Sequence, residues 1–331
     1  MKVLVTGAAG FIGQRLVRRI LEKGSLKRSD GSECDVSSVL ATDIVSPPEP
    51  VSSDPRLEFI EGDFGKDGML DRLVTPETEA VFHLAAVVSG GAEEDFELGM
   101  RVNLHSTMAL LERLRALDHV PRLVFASSVA TYGGDLLPEV IEDETACTPQ
   151  TSYGGQKLIT EHLITDYSRR GFLDGRALRL PTIVVRPGKP NKAASSFASS
   201  IIREPLQGDE FVCPVASDTG VWILSPRKVV ENFIHAEELD AEAWGPSRAV
   251  ALPGMTVTLD EMVAAMEKIG GPGVVSRIRW EPDPYIEHIV YGWPVRFALK
   301  RALAMGFQAD ATFEEIVKAF IDDELGGNFV A

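Results

Sequence analysis

The stretch Val3-Leu4-Val5-Thr6-Gly7-Ala8-Ala9-Gly10-Phe11-Ile12-Gly13 decides the fold of this chain. An aliphatic and β-branched run precedes three glycines at three-residue spacing, and residues 14–21 then show the apolar periodicity of a helix. Glycine accepts the backbone conformations of a tight turn and lets a ligand approach the main chain closely. The free N–H groups at the start of the helix favour an anion. The pattern G-x-x-G-x-x-G therefore predicts a dinucleotide site at Gly7, Gly10, Phe11, Ile12 and Gly13, with an ordinary strand–turn–helix connection as the alternative.

Composition is typical of a globular protein. The chain has 331 residues, 44% hydrophobic and 25% charged, enough for one large or two modest domains. A formal net charge of −16 disfavours nucleic acid and anionic membranes as partners. The chain shows neither a signal-peptide pattern nor an apolar run of membrane-spanning length, and its three cysteines are scattered, so we expect a cytoplasmic protein without disulfides. The six histidines form no close-spaced ligand motif, and no metal is expected.

Apolar strands alternate with helices through the first part of the chain. After the first strand and helix, and a polar insertion at 25–38, the pattern predicts further strands at 39–44, 57–63, 80–86, 122–128 and 175–185, and helices at 103–116 and 153–167. Such alternation predicts an α/β fold, a doubly wound parallel sheet of the Rossmann type. Ligands bind such sheets at the carboxyl ends of the strands, where the candidate residues lie.

The pattern changes after residue 186. We predict a Rossmann domain over 1–186 and a smaller, interleaved mixed α/β lobe over 187–331 for the substrate, with a segment near 221–240 returning to the first domain. Helix starts are indicated by Ser225-Pro226 and by two capping boxes, Thr258-x-x-Glu261 and Thr312-x-x-Glu315.

Tyr153 and Lys157 lie four residues apart and share one face of a predicted helix. A free tyrosine has a pKa near 10, and a neighbouring ammonium favours its phenolate. The pair can therefore take a proton from a hydroxyl while a hydride leaves the same carbon. An amphipathic tyrosine beside a solvated lysine is the alternative.

Two strand ends carry further candidates. Ser127 and Ser128 end the fifth strand, where a serine can orient a substrate oxygen or satisfy its own turn. Asp43 ends the second strand, where a carboxylate can bind the ribose hydroxyls of NAD and repel a 2′-phosphate. No arginine follows closely, which favours NAD over NADP.

The chain resembles the extended short-chain dehydrogenase/reductase family, in its NAD-dependent epimerase/dehydratase group, from Met1 to about residue 325. The resemblance lies in an ordered set of residues: Gly7, Gly10, Gly13, Asp43, Asp63, Leu84-Ala85-Ala86, Asn103, Ser128, Tyr153 and Lys157. It implies NAD as cofactor, Tyr153 as the acid/base, Lys157 holding the nicotinamide ribose and Ser128 orienting the substrate.

The same resemblance implies further cofactor contacts. Asp63 and Phe64 would lie near the adenine, Leu84, Ala85 and Ala86 would line the cleft, Asn103 would support the active site, and Pro181 and Ile183 would pass near the nicotinamide. It also implies a homodimer formed through the helices of Asn103 and Tyr153. Apolar positions that permit this, and that core packing explains equally well, are Leu110, Leu114, Leu158 and Leu163.

The segments at 183–196 and 222–227 depart from the pattern of sugar-nucleotide enzymes. They are similar to a branch of the family that oxidises the C2 hydroxyl of a small sugar acid. Candidates for binding the carboxylate are Asn191, Ser195 and Arg227, while Arg186 is a further candidate or a structural residue. A sugar-nucleotide epimerase or dehydratase, and an NAD-sensing protein without catalysis, remain the rival hypotheses.

Overall fold

The computed structural model describes residues 1–28, 31–47, 49–188 and 195–331, which form two compact units. The first unit consists of Met1–Thr131, Thr151–Arg179 and Val230–Ala251. The second unit consists of Tyr132–Gln150, Leu180–Val229 and Leu252–Ala331. Each unit is therefore assembled from segments that alternate along the chain.

The strands and helices have the following bounds. The strands are β1 (Lys2–Thr6), β2 (Ser25–Lys27), β3 (Glu33–Asp35), β4 (Ser38–Asp43), β5 (Leu57–Glu61), β6 (Thr78–His83), β7 (Arg122–Ser128), β8 (Ile141–Glu142), β9 (Asp174–Leu180), β10 (Thr182–Ile183), β11 (Phe211–Cys213), β12 (Gly220–Leu224), β13 (Ala249–Ala251), β14 (Met255–Thr258), β15 (Ile278–Trp280) and β16 (Phe297–Ala298). The α-helices are α1 (Phe11–Lys23), α2 (Met69–Leu73), α3 (Ser89–Glu94), α4 (Phe96–Gly99), α5 (Thr107–Arg115), α6 (Ser152–Arg169), α7 (Ser196–Gln207), α8 (Pro226–Glu238), α9 (Ala241–Trp244), α10 (Leu259–Gly270), α11 (Pro272–Val275), α12 (Pro284–Val290), α13 (Lys300–Ala304) and α14 (Phe313–Glu324). A π-helical segment, Met100–Ser106, precedes α5, and a 3₁₀ turn, Val129–Thr131, follows β7.

A seven-stranded parallel sheet organises the first unit, in the order β13-β9-β7-β6-β1-β4-β5. The strand order reverses between β1 and β6, where Thr6 lies opposite both Thr42 and His83. This is the doubly wound arrangement, in which a ligand binds at the carboxyl ends of the strands beside the reversal. The predicted fold class is confirmed.

The core of the first unit follows from the apolar strands. Leu4, Val81 and Leu123 come from adjacent strands and are buried against Leu110 and Leu114 of α5. A parallel sheet is covered on both faces, so its strands need nearly continuous apolar runs rather than alternation. This explains why the strand predictions agree with the structure to within a few residues at most.

Three local features differ from the sequence predictions. The polar insertion contains an antiparallel hairpin that pairs Ser25 with Asp35. The helix predicted at 103–116 begins as a π-helical segment. Met108 is 41% exposed, although its spacing from Leu104, Leu111 and Leu114 predicts a core position. The three-residue strand β13, absent from the predictions, forms the sheet edge beside β9.

A buried charged cluster lies at the amino ends of β7 and β9, defined by Arg122, Asp174, Arg176, Glu237 and Arg248. Both Arg176 and Arg248 donate to the Asp174 carboxylate, at 2.6 and 3.0 Å. Arg122 donates to the Glu237 main-chain oxygen at 2.6 Å, and Arg176 bonds the same carbonyl. Burial raises the pKa of Glu237 to about 7, against the attraction of Arg122 and Arg176. This charged cluster joins the end of α8 to the sheet.

The second unit has its own core. Strand β12 pairs in parallel with β10 and antiparallel with β14. Helices α7, α10 and α14 contribute buried residues to a cluster that includes Ile201, Met262 and Val317. Two short parallel pairs, β11 with β15 and β8 with β16, complete the sheets described in this unit.

The division of the chain differs from the predicted boundaries. The predicted returning segment near 221–240 includes β12, which pairs within the second unit, and the chain rejoins the first unit only from Val230 to Ala251. The second unit also includes Tyr132–Gln150. Short-range periodicity does not reveal these exchanges, because both units use the same alternation of strand and helix.

The predicted helix starts agree with the structure in two cases of three. The Ser225 hydroxyl accepts a hydrogen bond from the Lys228 amide at the start of α8, at 3.1 Å. The capping box of Thr258 and Glu261 is complete. Thr312 caps α14, but the Glu315 carboxylate accepts from the Ala311 amide instead of the Thr312 amide.

Candidate active site

The glycine-rich turn between β1 and α1 leaves no room for side chains. Gly7 has a φ of +71°, and a Cβ there would lie 2.6 Å from the Ala85 nitrogen. A Cβ on Gly13 would lie 2.2 Å from the Gly7 carbonyl oxygen. Both positions require glycine. The turn therefore presents main chain to a ligand at the carboxyl end of β1.

The first turn of α1 offers hydrogen-bond donors. Its N-cap, Gly10, makes no side-chain cap bond, and the turn contains no acidic residue. Phe11 and Ile12 are partly exposed. The first N–H groups of a helix lack intrahelical acceptors and carry the positive end of its dipole. The turn thus fits the diphosphate of a dinucleotide.

Asp43, at the end of β4, is held beside this turn. Its two carboxylate oxygens accept hydrogen bonds from the amides of Ala9, at 3.0 Å, and Ile44, at 2.7 Å. A carboxylate fixed in this way can still accept from ribose hydroxyls and would repel a 2′-phosphate. Exposed, uncharged Ile44 and Val45 follow it. The position therefore suits NAD.

Asp63 and Phe64 follow β5 and have different environments. The Asp63 carboxylate accepts from the Gly65 amide at 2.9 Å and from the Arg101 guanidinium at 2.8 Å. Burial opposes ionisation, but these bonds outweigh it and leave the Asp63 pKa below its ordinary value. The Phe64 side chain is buried, with its ring centroid 5.4 Å from that of His83. The Phe64 ring therefore belongs to the core of the first unit.

The partly exposed residues Leu84, Ala85 and Ala86 continue from β6 towards the glycine turn. The Leu84 amide donates to the Thr6 carbonyl at 3.2 Å, and the Ala85 amide donates to the Thr6 hydroxyl at 3.3 Å. The Thr6 hydroxyl also lies 2.7 Å from Nδ1 of His83. Burial, with a smaller contribution from Lys157, lowers the His83 pKa to about 3. The neutral His83 imidazole thus contacts the Thr6 hydroxyl that binds this loop.

Asn103 lies in the π-helical segment and joins two parts of the site. Its Oδ1 accepts from the Val87 amide at 2.8 Å, and its Nδ2 donates to the Val87 carbonyl at 3.0 Å. The same Nδ2 donates to Oε1 of Gln156 at 2.8 Å. The widened turn brings this side chain between the loop after β6 and α6. Asn103 therefore connects the loop after β6 to α6.

The two serines at the end of β7 have different roles because successive strand residues point to opposite faces. Ser127 is buried and donates to Oε1 of Glu161 at 2.5 Å. Ser128 is partly exposed, and its hydroxyl accepts from the Ala130 amide at 3.1 Å. Ser128 is thus the serine that a substrate can reach.

Tyr153 and Lys157 share a face of α6, which Thr151 caps by accepting from the Gly154 amide at 3.0 Å. The Lys157 Nζ lies 5.4 Å from the centroid of the Tyr153 ring and donates to the Ala126 carbonyl at 2.8 Å. Burial lowers the Lys157 pKa to about 7, and Glu161 opposes this shift. The ammonium is close enough to favour a phenolate, but its charge is only marginally retained at neutral pH.

The model of the NAD dependent epimerase/dehydratase family matches residues 3–239. The chain belongs to this family. It is an enzyme with NAD as its cofactor, and its chemistry takes place at a CH–OH group. The predicted family and cofactor are confirmed, whereas the roles of individual residues stay predictions.

Three similar proteins cover nearly the whole chain. D-erythronate dehydrogenase of Cupriavidus necator is 51% identical over 98% of each chain. D-erythronate dehydrogenase of Haemophilus influenzae is 44% identical over 98% of this chain and 100% of the relative. The crystal structure described as the nucleoside-diphosphate-sugar epimerase from Agrobacterium tumefaciens is 42% identical, has a TM-score of 0.92 and covers 99% of this chain and 95% of that one.

Of the predicted substrate ligands, Ser128 lies in the first unit, whereas Ser195 and Arg227 lie in the second. The second unit also contains Pro181, which precedes β10, and Ile183, which ends it, and both are buried. The Arg186 guanidinium donates to the Ser195 hydroxyl at 2.9 Å. Arg227 forms an ion pair with Asp323 at 2.5 Å. Asn191 lies outside the described residues.

Sequence reasoning missed several buried polar residues in the first unit. Glu161 binds Ser127 and Arg179, and Gln156 binds Asn103. Glu161 lies four residues after Lys157 and so continues the stripe from Tyr153, a spacing that could have identified it. The partner of Gln156 depends on the π-helical turn, for which the sequence shows no signal.

Within the part of the chain that the structure describes, no helix has the length and hydropathy to cross a bilayer. Over the same residues, no group of three or more His, Cys, Asp or Glu side chains could hold a metal ion.

Proposed function

We propose that this protein oxidises the C2 hydroxyl of a small sugar acid, D-erythronate, to 2-dehydro-D-erythronate, with NAD as oxidant. One observation carries the proposal: two relatives named D-erythronate dehydrogenase match at 51% and 44% identity over nearly the full chain. Ser128, Tyr153 and Lys157 supply the groups that such an oxidation needs.

In the proposed mechanism Tyr153, as its phenolate, removes the proton of the C2 hydroxyl. The Lys157 ammonium, 5.4 Å from the Tyr153 ring centroid, favours this phenolate electrostatically. The Ser128 hydroxyl donates a hydrogen bond to the substrate oxygen and keeps it in position. A bound NAD would supply the acceptor for the hydride from C2. General base catalysis of this kind contributes roughly 10²–10⁴-fold in rate.

The residues that would hold NAD come from four strand ends. The first turn of α1 would bind the diphosphate, and Asp43 would accept from the adenosine ribose hydroxyls. Asp63 would lie beside the adenine, and Ala85 would line the cofactor cleft. Lys157 would bind the nicotinamide ribose and act on Tyr153 from the same position.

A substrate carboxylate needs a guanidinium or a group of hydroxyl and amide donors. The pairing of Arg186 with Ser195 joins two such groups in the second unit. Arg227 is less suitable, because Asp323 and Asp322 already balance its charge. We therefore favour Ser195 with Arg186 over Arg227 for this role.

One observation favours a second candidate function. The Agrobacterium tumefaciens structure, 42% identical, is described as a nucleoside-diphosphate-sugar epimerase. An epimerase of this kind removes a hydride and returns it within one cycle, so it produces no net NADH. The two functions thus differ in a directly measurable product.

The deciding experiment follows NADH absorbance with purified protein and NAD. D-erythronate, L-threonate, D-threonate and UDP-glucose would be tested separately. We expect stoichiometric NADH with D-erythronate. NADH with a threonate alone would move the assignment to that acid. Conversion of UDP-glucose, seen by chromatography without NADH, would establish the epimerase instead.

A further inference from the structure

Glu161 is a buried carboxylate with three anchors. It lies on the same stripe of α6 as Tyr153 and Lys157, and it is 3% exposed. Ser127 of β7 donates to its Oε1 at 2.5 Å. Arg179 of β9 donates through Nε to both carboxylate oxygens at 3.1 Å and through Nη2 to Oε2 at 2.7 Å. One carboxylate thus joins a helix to two strands directly beneath the candidate active site.

The strand segment that Glu161 binds carries two other parts of the site. Ser127 lies between Ala126, whose carbonyl accepts from Lys157, and Ser128, which a substrate can reach. Fixing the Ser127 side chain therefore fixes the direction in which its two neighbours point. A shift of α6 along β7 would break the Ser127–Glu161 hydrogen bond.

Packing alone does not explain a charge at this position. Taking a carboxylate and a guanidinium out of water costs several kcal/mol per ion, and well-packed apolar side chains often serve equally well. A charged pair at this position has a functional explanation if its electric field stabilises the charge of a neighbouring group. Lys157, one helical turn away, is such a group.

Among the described residues, four charged or titratable groups surround Lys157. Tyr153 and Glu161 face it from α6, His83 from β6, and Arg179 lies beyond Glu161 on β9. His83 is neutral, since burial lowers its pKa to about 3. Before Tyr153 ionises, Glu161 is the anion of this set. Burial of Lys157 disfavours its ammonium, and Glu161 opposes that effect.

We infer that Glu161 is a positioning residue for the proposed reaction: anchored by Ser127 and Arg179, it holds α6 in register with β7 and keeps the Lys157 ammonium charged beside Tyr153. The inference rests on the proposed role of Tyr153 as base. Ser127, Glu161 and Arg179 would then contribute to catalysis without touching the substrate.

The first test measures Lys157 itself, without cofactor or substrate. Lysine labelled with ¹³C at Cε would be titrated by NMR, with the Lys157 signal assigned by its loss in Lys157→Met. We expect Glu161→Gln to lower the Lys157 pKa by about one unit, the effect of one nearby charge. The matched control is Glu237→Gln, a buried carboxylate that also binds arginine but lies at the amino ends of the strands. It should leave the Lys157 titration unchanged.

The second test is the pH profile of turnover. In Glu161→Gln, turnover at pH 7 should fall about fivefold, because a one-unit shift lowers the charged fraction of Lys157 from about half to about a tenth. The deficit should approach tenfold above about pH 8 and vanish below about pH 5, where Lys157 is charged in both proteins. A merely structural role would give a deficit that does not depend on pH.

The double variant Glu161→Gln with Arg179→Met removes the guanidinium that the single variant leaves unpaired. It replaces the single variant in both tests if Glu161→Gln does not fold. An unchanged Lys157 titration in either variant would overturn the inference. If the wild-type enzyme oxidises no sugar acid, the proposed function fails, whereas the NMR titration still decides the effect of Glu161 on Lys157.

Discussion

Lys157 combines two requirements that oppose each other. Its ammonium must remain charged to favour the Tyr153 phenolate, yet the side chain is 2% exposed and donates to the Ala126 carbonyl at 2.8 Å. Burial of a charge costs free energy, and this cost appears as the lowered pKa of about 7. Stability is therefore lower because of a residue that the proposed chemistry needs.

The lowered pKa of Lys157 predicts how stability varies with pH. Between pH 7 and about 10, the unfolded chain holds a proton on this lysine that the folded protein has lost, so this residue's contribution to stability rises with pH. Below pH 7 the cost of the buried charge is fully present. Relative to Lys157→Met, the wild-type protein should gain about 2 kcal/mol in free energy of unfolding between pH 7 and 9.

Urea denaturation of both cofactor-free proteins at several pH values measures this difference. Other titrating groups cancel, because they are common to the two proteins. Parallel stability curves would show that Lys157 titrates normally in the folded protein.

Replacement of Tyr153 by phenylalanine tests the proposed base. We expect turnover to fall by roughly 10²–10⁴-fold because the proton acceptor is lost. NAD affinity, measured by fluorescence titration, should change little. The matched control is Tyr167→Phe on the same helix, whose hydroxyl bonds Glu112 at the surface. Near-normal turnover in Tyr153→Phe would remove this residue from the mechanism.

Helix α6 carries the site through its first two turns, and its N-terminal cap determines where Tyr153 is held. Thr151→Ala removes the acceptor for the Gly154 amide and should cost about 1 kcal/mol of stability. Because the uncapped turn contains Tyr153, turnover should also fall severalfold. Thr312→Ala, which uncaps α14 in the second unit, should reduce stability alone. Equal turnover losses in the two variants would show that the Thr151 cap has no special role; thermal denaturation and initial rates provide the measurements.

The elements themselves were largely predictable because the sheet is buried on both faces. Apolar strand patterns marked β1, β4, β5, β6, β7 and β9, and the glycine spacing marked the turn before α1. Strand β13 was missed because Ala249–Ala251 is too short to show a pattern. The π-helical segment was missed because a single wide turn leaves the surrounding apolar spacing almost unchanged.

The polar contacts were less predictable than the elements. The sequence placed Ser127 and Ser128 together, and only the direction of each side chain separated them. The contact of Glu161 with Arg179 joins an α-helix to a strand, so it depends on the relative position of two elements. Residue type and spacing do not predict how a helix lies relative to a strand. They do predict the glycine turn and the Tyr153–Lys157 pair, which are local in sequence.

Assembly of the molecule is a separate prediction. The sequence allowed Leu110, Leu114, Leu158 and Leu163 either at a dimer interface or in the core. Leu110 and Leu114 are fully buried in the core, whereas Leu158 and Leu163 are partly exposed. The exposed apolar residues of the same helices are instead Met108, at 41%, and Ile159, at 46%. We expect a homodimer through these helices, and Ile159→Glu should shift it to monomer in sedimentation velocity.

Leu303→Glu, at an exposed apolar position in the second unit, is the control for charge and should leave the sedimentation coefficient unchanged. A wild-type protein that sediments as a monomer at working concentration would contradict the dimer.

The charged cluster at the amino ends of β7 and β9 has a consequence for synthesis of the protein. Arg122 and Arg176 emerge from the ribosome long before the α8 carbonyls that they bind, and the edge strand β13 comes later still. Until then the nascent chain carries two guanidinium groups without these acceptors and an open sheet edge. The first unit therefore cannot complete its buried charged cluster until α8 has been translated, and a fragment ending at residue 186 should aggregate rather than fold.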